Sequence, residues 1–202
     1  MVDPDDPNAI LKDAAWDQDA SITLLRDKYK DWNPVVKALT DVTPDIRFYP
    51  NISCSKSLNT WVFGNRTTLI GDAAHAHGGA HATGGSLAID DAYALYISLL
   101  SNFPLESTTK PSGAEVRKAL ELYEATRKPH ADRLLHMVLA ANTARAERTR
   151  SGRLESDDEL RDRASKGSNT TWLHEHDVVK TFEQTLMILS ASENSGEISA
   201  KL

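Results

Sequence analysis

The chain has a single cysteine, Cys54, among its 202 residues. An internal disulfide is therefore excluded, and a reducing compartment is favoured. No apolar run approaches the roughly 18 residues that a membrane-spanning helix requires. The first ten residues are acidic and contain two prolines, and they have neither the basic segment nor the apolar segment of a secretory signal. Together these absences predict a soluble cytoplasmic protein.

A positive charge excess is also missing. The chain has 23 basic and 29 acidic residues, so its net charge is −6. This balance gives no excess of positive charge that would attract nucleic acid or an anionic membrane, and neither is expected as a partner. The hydrophobic content of 40% and the charged content of 26% are ordinary for a globular protein long enough for one or two domains.

The stretch from Thr67 to Leu100 is the richest in residue types that commonly form ligand sites, chiefly glycine, histidine and aspartate. It reads TTLIGDAAHAHGGAHATGGSLAIDDAYALYISLL. A short apolar strand is followed by Gly71 and Asp72, by a loop with three histidines and four glycines, and by a periodic apolar segment from Leu87. When a strand is followed by a glycine-rich loop and then by a helix, the N-terminus of the helix can face a ligand bound at the loop.

Local chemistry suggests how this stretch would meet a ligand. Its loop glycines are free to adopt positive φ or to let a ligand approach the main chain. Ser86 is a candidate N-cap, and Asp90 and Asp91 suit the first helical turn. The free amides near Gly84, Gly85 and Ser86 would stabilise a negative charge or a carbonyl oxygen.

The segment GDAAHAHGGAHATGGSLAIDDAYAL resembles the Gly-Asp motif of FAD-dependent aromatic-ring monooxygenases, the salicylate hydroxylase and p-hydroxybenzoate hydroxylase group, and in particular its fungal salicylate-hydroxylase-like members. The resemblance implies that Gly71 and Asp72 hold the ribityl chain of FAD. It also implies that Gly84, Gly85 and Ser86 lie under the N1/C2-carbonyl side of the flavin ring. Many relatives have a proline where this chain has Gly78–Gly79, and a glycine where it has His81.

The segment YEATRKPHADRL resembles a Tyr-Glu-x-x-Arg-x-Pro segment of the same family, which forms a long kinked helix. The family resemblance implies an NAD(P)H-dependent flavoprotein that uses O2 to hydroxylate a small, salicylate-like aromatic substrate. The catalytic base of such enzymes is expected upstream, so no catalytic residue is assigned here.

The resemblance runs from about Trp16 to Leu189 and matches only the later part of such enzymes. Neither the G-x-G-x-x-G after a strand nor the Asp-Gly pair that precede this motif in the family is present. The expected fold is therefore α/β: an incomplete Rossmann-like FAD domain of the p-hydroxybenzoate hydroxylase type, with a remnant of the substrate-domain sheet and C-terminal helices. Residues 1–63 are expected to be the incomplete end of the substrate domain, and residues 64–145 the later part of the FAD-binding domain with the Gly-Asp motif and bracing helices. Residues 146–202 are expected to be a C-terminal charged segment, a helix and a tail. Open sheet edges predict self-association.

Periodicity and turn residues predict the remaining elements. Trp61 is expected in the core, with the pocket wall as the alternative. The predicted helices are 20–32, 35–39, 114–127, 130–148 (after a break at Pro129) and 177–189, with a charged helix or linker over 145–166. The predicted strands are 46–49, 60–63 and 67–70, and the last two are predicted to form a hairpin. Residues 1–8 are predicted to be a frayed leader, and residues 190–202 a disordered tail.

Two other functions remain open. Asp72, His75, His77 and His81 spell D-x-x-H-x-H-x-x-x-H, residue types that ligate zinc in metal-dependent hydrolases. In the flavin interpretation His75 is instead a packed residue hydrogen-bonded beside Asp72. A non-catalytic remnant or binding module is the other alternative, because the ADP-binding motif is missing.

Overall fold

The computed structural model describes residues 18–49, 53–153, 155–167 and 169–199. They are mostly helical with two small sheets, which fits an α/β class at a coarse level. The chain divides into two compact units, Met1–Ile52 and Ser53–Leu202. The predicted leader, Trp16 and the last three residues of the predicted tail lie outside the described residues.

The first unit is an antiparallel strand pair that brackets two helices. Asp19 pairs with Arg47 at the centre of this sheet. The side chain of Ser21 accepts a hydrogen bond from the amide of Thr23 and caps the first helix, and Asn33 caps the second ahead of Pro34. The elements are β1 (Gln18–Ala20), α1 (Ile22–Tyr29), α2 (Pro34–Val42) and β2 (Ile46–Phe48).

The second unit contains the predicted hairpin and the longer helices. Val62 pairs with Thr68 and Phe63 with Thr67, so the hairpin is confirmed with shorter strands than expected. Its elements are β3 (Val62–Phe63), β4 (Thr67–Thr68), α3 (Asp72–His75), α4 (Gly84–Asn102), α5 (Gly113–Ser151), α6 (Asp157–Ser165), α7 (Thr171–His174) and α8 (Val178–Ser199), with a 3₁₀ turn at Ala80–Ala82.

Helix α5 runs for 39 residues and contains Pro129 in its interior. The prediction that Pro129 interrupts the helix was wrong. Proline removes one intrahelical hydrogen bond to the carbonyl four residues earlier. Here Pro129 is exposed and lines an open surface groove together with Ala125. Because water can reach that carbonyl, the lost bond does not end the helix.

The core of the second unit lies where α4 and α5 pack against the hairpin. Trp61, Ala94 and Tyr123 are fully buried there, which confirms the core position of Trp61. Leu87 of α4 joins Leu173 of α7 in a neighbouring apolar cluster with two residues of α5. Helices α5 and α8 therefore pack against α4, and Trp61 before the hairpin and Leu173 of α7 share apolar clusters with it.

The C-terminal part is more helical than expected. The charged segment contains the end of α5 and the exposed helix α6, which Ser156 and Glu159 cap reciprocally. Helix α8 continues to Ser199, so the prediction of a disordered tail from residue 190 was wrong over that range. This segment contains no proline that would end a helix.

Among the residues that the structure describes, none of the helices combines the length and the apolar character that a membrane span requires.

Candidate functional site

The site begins at a sharp turn after the hairpin. Gly71 is buried with φ +60° and ψ −140°, a backbone conformation that residues with a Cβ rarely adopt. Its carbonyl accepts the amide hydrogens of Ala74 and His75, which starts α3. Its own amide donates to Oδ2 of Asp91 at 3.0 Å. This geometry explains the glycine of the Gly-Asp pair.

Asp91 is the centre of a buried polar network. Its Oδ2 accepts from Nε2 of His75 at 2.6 Å as well as from the Gly71 amide. Its Oδ1 accepts from Nε of Arg127 at 2.9 Å. Arg127 and Asp91 are both completely buried. The network joins the Gly71 turn, α4 and α5, and so determines where Asp72 stands relative to the start of α4.

The charge state of Asp91 follows from these partners. Burial by itself raises the pKa of its carboxyl group, but the hydrogen bond and charge of His75, together with the hydrogen bonds from Arg127 and the Gly71 amide, outweigh burial. The pKa of Asp91 is therefore lower than its ordinary value, and the group is ionised at neutral pH. An ionised carboxylate only accepts hydrogen bonds, so Nε2 of His75 is the donor.

Helix α4 starts earlier than its apolar pattern predicted. It begins at Gly84 with Thr83 as the N-cap, and Ser86 lies inside its first turn, where its hydroxyl donates to the carbonyl of Thr83 at 2.9 Å. The assignment of Ser86 as N-cap was therefore wrong. Asp90 and Asp91 likewise lie beyond the first turn, because two glycines and a serine extend the helix towards the loop.

The loop between α3 and α4 has a run of left-handed backbone. Gly78 and Gly79 have φ of +72° and +71°, as their glycine identity predicted. His81 and Ala82 also have positive φ, of 61° and 53°. Residues with a Cβ are strained in this region, so the loop stores conformational strain at two consecutive positions.

Ala82→Gly is expected to stabilise the chain by about 0.5–1 kcal/mol. The left-handed conformation costs a residue with a Cβ about 1–2 kcal/mol, and the greater chain entropy of glycine returns part of this gain. Ala141→Gly is the matched control, since Ala141 is an exposed residue of α5 with helical backbone. That variant should lose about 1 kcal/mol. Chemical denaturation of both variants measures the difference, and a destabilised Ala82→Gly would contradict the strain.

Asp72 and the start of α4 lie side by side. A Cβ placed on Gly84 would be 3.9 Å from Oδ1 of Asp72 and 4.0 Å from Nε2 of His77. A Cβ placed on Gly85 would meet nothing within 4 Å. Thr83 makes no side-chain cap hydrogen bond to the first amides of α4. The helix start therefore presents free amides beside a carboxylate and an imidazole, with no side chains of its own in the way.

The three loop histidines do not share one site. His75 is buried and hydrogen-bonded as predicted, but its partner is Asp91 rather than Asp72. His77 is buried, whereas His81 is exposed. No group of three or more His, Cys, Asp or Glu side chains is arranged to hold a metal ion within the part of the chain that the structure describes. The metal-hydrolase hypothesis therefore has no assembled ligand set among these residues.

A polar cavity of about 180 Å³ borders the first turns of α4. Asp90 lines it, and burial raises the pKa of this carboxyl group although Arg127 opposes the shift. His176 also lines it, and burial lowers the pKa of its ring. The remaining lining residues are Thr83, Ser86, Leu87, Leu173 and His174. The C-terminal Leu173–His174 segment thus lies against the same helix as the glycine-rich loop.

Sequence reasoning missed the partnership of Asp91 with Arg127. The signal was available in part, because Asp91 falls on the apolar i, i+4 row between Leu87 and Leu95. A carboxylate on a buried helix face requires a cation or hydrogen-bond donors. The sequence did not identify the cation that supplies them, because Arg127 lies 36 residues away from Asp91 along the chain.

Comparison with known proteins supports a flavoprotein assignment. Residues 39–138 match the family model described as FAD binding domain. This match supports a family of the FAD-dependent aromatic hydroxylase type. The matched range contains the Gly71 turn, the glycine-rich loop, α4 and the first two thirds of α5, and with them the whole Asp91 network. No curated protein matches the chain.

Proposed function

We propose that this chain, with its FAD binding domain match over residues 39–138, is the FAD-binding part of an NAD(P)H-dependent monooxygenase that hydroxylates a salicylate-like aromatic substrate with O2. The observation that carries the proposal is the position of the Asp72 carboxylate beside the side-chain-free start of α4. A carboxylate next to free helix amides offers hydrogen-bond acceptors and donors to one ligand. Flavin needs both, because it has ribityl hydroxyl groups and ring carbonyl oxygens.

The residues present fit this cofactor. Asp72 would accept hydrogen bonds from ribityl hydroxyls, and the amides of Gly84, Gly85 and Ser86 would donate to the carbonyl side of the ring. The positive end of the α4 dipole favours negative charge on that side of the ring. When bound, FAD supplies the electron transfer and the oxygen activation, while the protein contributes binding, orientation and electrostatics. Gly71, held by Asp91, fixes the direction in which Asp72 leaves the turn.

The partners of the complete reaction belong to the same proposal. They are a small aromatic acid, O2 and a nicotinamide reductant, with no nucleic acid and no membrane. Self-association through sheet edges also stays a prediction. Each sheet of the described residues has only two strands, so its outer strand edges lack a paired neighbour within those residues.

Asp72→Ala is expected to weaken FAD binding by about 10- to 100-fold. A hydrogen bond to a charged group contributes about 1.5–3 kcal/mol, and 1.4 kcal/mol corresponds to a factor of ten in affinity. Titration of FAD into the purified chain, followed by flavin fluorescence, measures the affinity. Glu106→Ala is the matched control, because it removes one exposed negative charge from a loop. Its affinity should equal that of the unaltered chain.

The outcomes separate the candidate functions. An unaltered, folded chain that binds no FAD would refute the proposed function. Equal FAD affinities of the Asp72→Ala and Glu106→Ala variants would refute the role of Asp72 alone. If FAD binds but NAD(P)H is not consumed with aromatic acids, the chain is a flavin-binding module without monooxygenase activity, which is the alternative expected from the missing ADP-binding motif.

A further inference from the structure

His77 is held rigidly at the inner edge of the glycine-rich loop. Its backbone forms a β-bridge with Ser53, and the amide of Cys54 donates to the carbonyl of the preceding Ala76 at 2.7 Å. Only 4% of His77 is exposed. These main-chain contacts fix the backbone position of His77, and burial restricts its imidazole.

The imidazole has no hydrogen-bond partner in any other residue that the structure describes, and the only hydrogen-bonding group that acts on the ring is the main chain of His77 itself. Both Nδ1 and Nε2 are buried and unpaired among the residues that the structure describes. Burial, reinforced by the neighbouring His75, lowers the pKa of His77, so the ring is neutral at pH 7. A neutral imidazole has one donor and one acceptor, and leaving both unpaired costs folding free energy. Because an unpaired buried imidazole destabilises the folded chain, its presence here suggests that a bound molecule supplies the missing hydrogen-bond partners.

The ring lies beside the proposed flavin site. The position that a Cβ would take on Gly84 is 4.0 Å from Nε2 of His77 and 3.9 Å from Oδ1 of Asp72. Both polar atoms therefore lie within about 4 Å of the same point at the start of α4. Asp72 only accepts hydrogen bonds, whereas neutral His77 both donates and accepts. Hydroxyl groups complement this pair best, because each hydroxyl also donates and accepts.

We propose that His77 is a binding residue for the ribityl hydroxyl groups of FAD, acting beside Asp72. The inference rests on the proposed function and adds a residue that the Gly-Asp resemblance did not assign. It makes a specific prediction about two properties of the protein. His77 lowers the stability of the ligand-free chain and raises its affinity for FAD, so replacing the ring should change these properties in opposite directions.

His77→Met tests the inference, because methionine fills irregular buried space without hydrogen-bonding demands. We expect the melting temperature of the ligand-free chain to rise by about 2–4 °C, while FAD binds about 5- to 20-fold more weakly. His77→Gln keeps a donor and an acceptor and should recover part of the affinity. His136→Met is the control, since His136 is exposed on α5. It should leave both properties unchanged.

Each outcome bears on the inference. His77→Met that binds FAD as tightly as the unaltered chain overturns it, since His77 is then only a packing residue. A His77→Gln variant as weak as His77→Met also overturns it, because the hydrogen-bonding groups then contribute nothing. If the unaltered chain binds no FAD, the proposed function fails first, and this inference fails with it. Weaker FAD binding by a His77→Met chain with a higher melting temperature supports it, whereas an unchanged or lower melting temperature contradicts the predicted cost of the unpaired ring.

Discussion

Asp91→Ala is expected to lower the free energy of unfolding by about 3–5 kcal/mol. The substitution removes the only carboxylate within hydrogen-bonding distance of Arg127 among the described residues, and Arg127 has no exposed surface. A buried guanidinium without its partner retains the full desolvation penalty of its charge. The Gly71 amide and His75 lose their acceptor as well. Chemical denaturation followed by circular dichroism measures the loss.

Asp90→Asn is the matched control for this prediction. The Asp90 carboxylate lies 3.6 Å from the same guanidinium, but its side chain is 34% exposed. A partly exposed pair contributes about 1 kcal/mol or less, so Asp90→Asn should cost far less than Asp91→Ala. Similar losses in the two variants would contradict the assignment of Asp91 as the main partner. Asp91→Leu combined with Arg127→Met should be more stable than Asp91→Leu alone, because an apolar pair replaces the unpaired charge.

The same network predicts how stability depends on pH. The pKa of Asp91 is lowered by folding, so its stabilising effect is complete above its unfolded pKa of about 3.9 and is lost as the pH falls through the lower folded value. Burial, followed by the charges of His176 and Arg127, lowers the pKa of His130 to about 3. Since unfolded histidine binds a proton below about pH 6.5, stability should begin to fall there. Denaturation at successive pH values should show that Asp91→Asn removes only the loss below pH 4.

Trp61→Ala is expected to cost about 3–5 kcal/mol, as large-to-small substitutions of buried aromatic residues do. Trp61 is completely buried, and its ring centre lies 6.0 Å from that of Tyr123 and 5.7 Å from that of His75. The cavity would therefore open beside a member of the Asp91 network. Thermal and chemical denaturation measure the loss, and FAD affinity should fall with it because the Gly71 turn loses its support.

Trp61→Phe separates volume from polarity at this position. Phenylalanine keeps an aromatic ring against Tyr123, and it removes Nε1, which is buried without a hydrogen-bond partner among the described residues. We expect a loss of about 1.5 kcal/mol or less. If Trp61→Phe were as destabilising as Trp61→Ala, the indole would have a specific role beyond filling the core.

The site residues illustrate how far local patterns reach. The Gly71 turn and a helix start near Gly84 and Gly85 were predicted from one stretch, because a glycine after a strand and a helix start have local residue signatures. The roles of Gly71, Asp72, Gly84 and Gly85 toward FAD rest on the family resemblance and stay a prediction. The exact helix start was missed by three residues. Apolar periodicity marks the buried face of α4, and the glycines ahead of Leu87 are helical without being apolar.

Local residue chemistry misled at Pro129. The sequence predicts a break there because proline lacks an amide hydrogen. Whether that loss ends a helix depends on what surrounds the freed carbonyl, and the exposed groove beside Pro129 is a property of the folded chain. The partner of His75 was missed for a related reason, since Asp72 is near in sequence whereas Asp91 is near in space.

By itself, the sequence determined where the longer helices lie, though not all of their ends, together with the hairpin and the Gly71 turn, since helical periodicity, turn residues and glycine backbone act over a few neighbouring positions. The folded structure alone decided that Arg127 pairs with Asp91, and that Asp72, His77 and Gly84 meet at one point. These contacts join residues that are 5 to 36 positions apart along the chain. The pair of Arg127 and Asp91 depends on how α4 and α5 pack, because only packing brings these two groups together and excludes the water that would otherwise satisfy them.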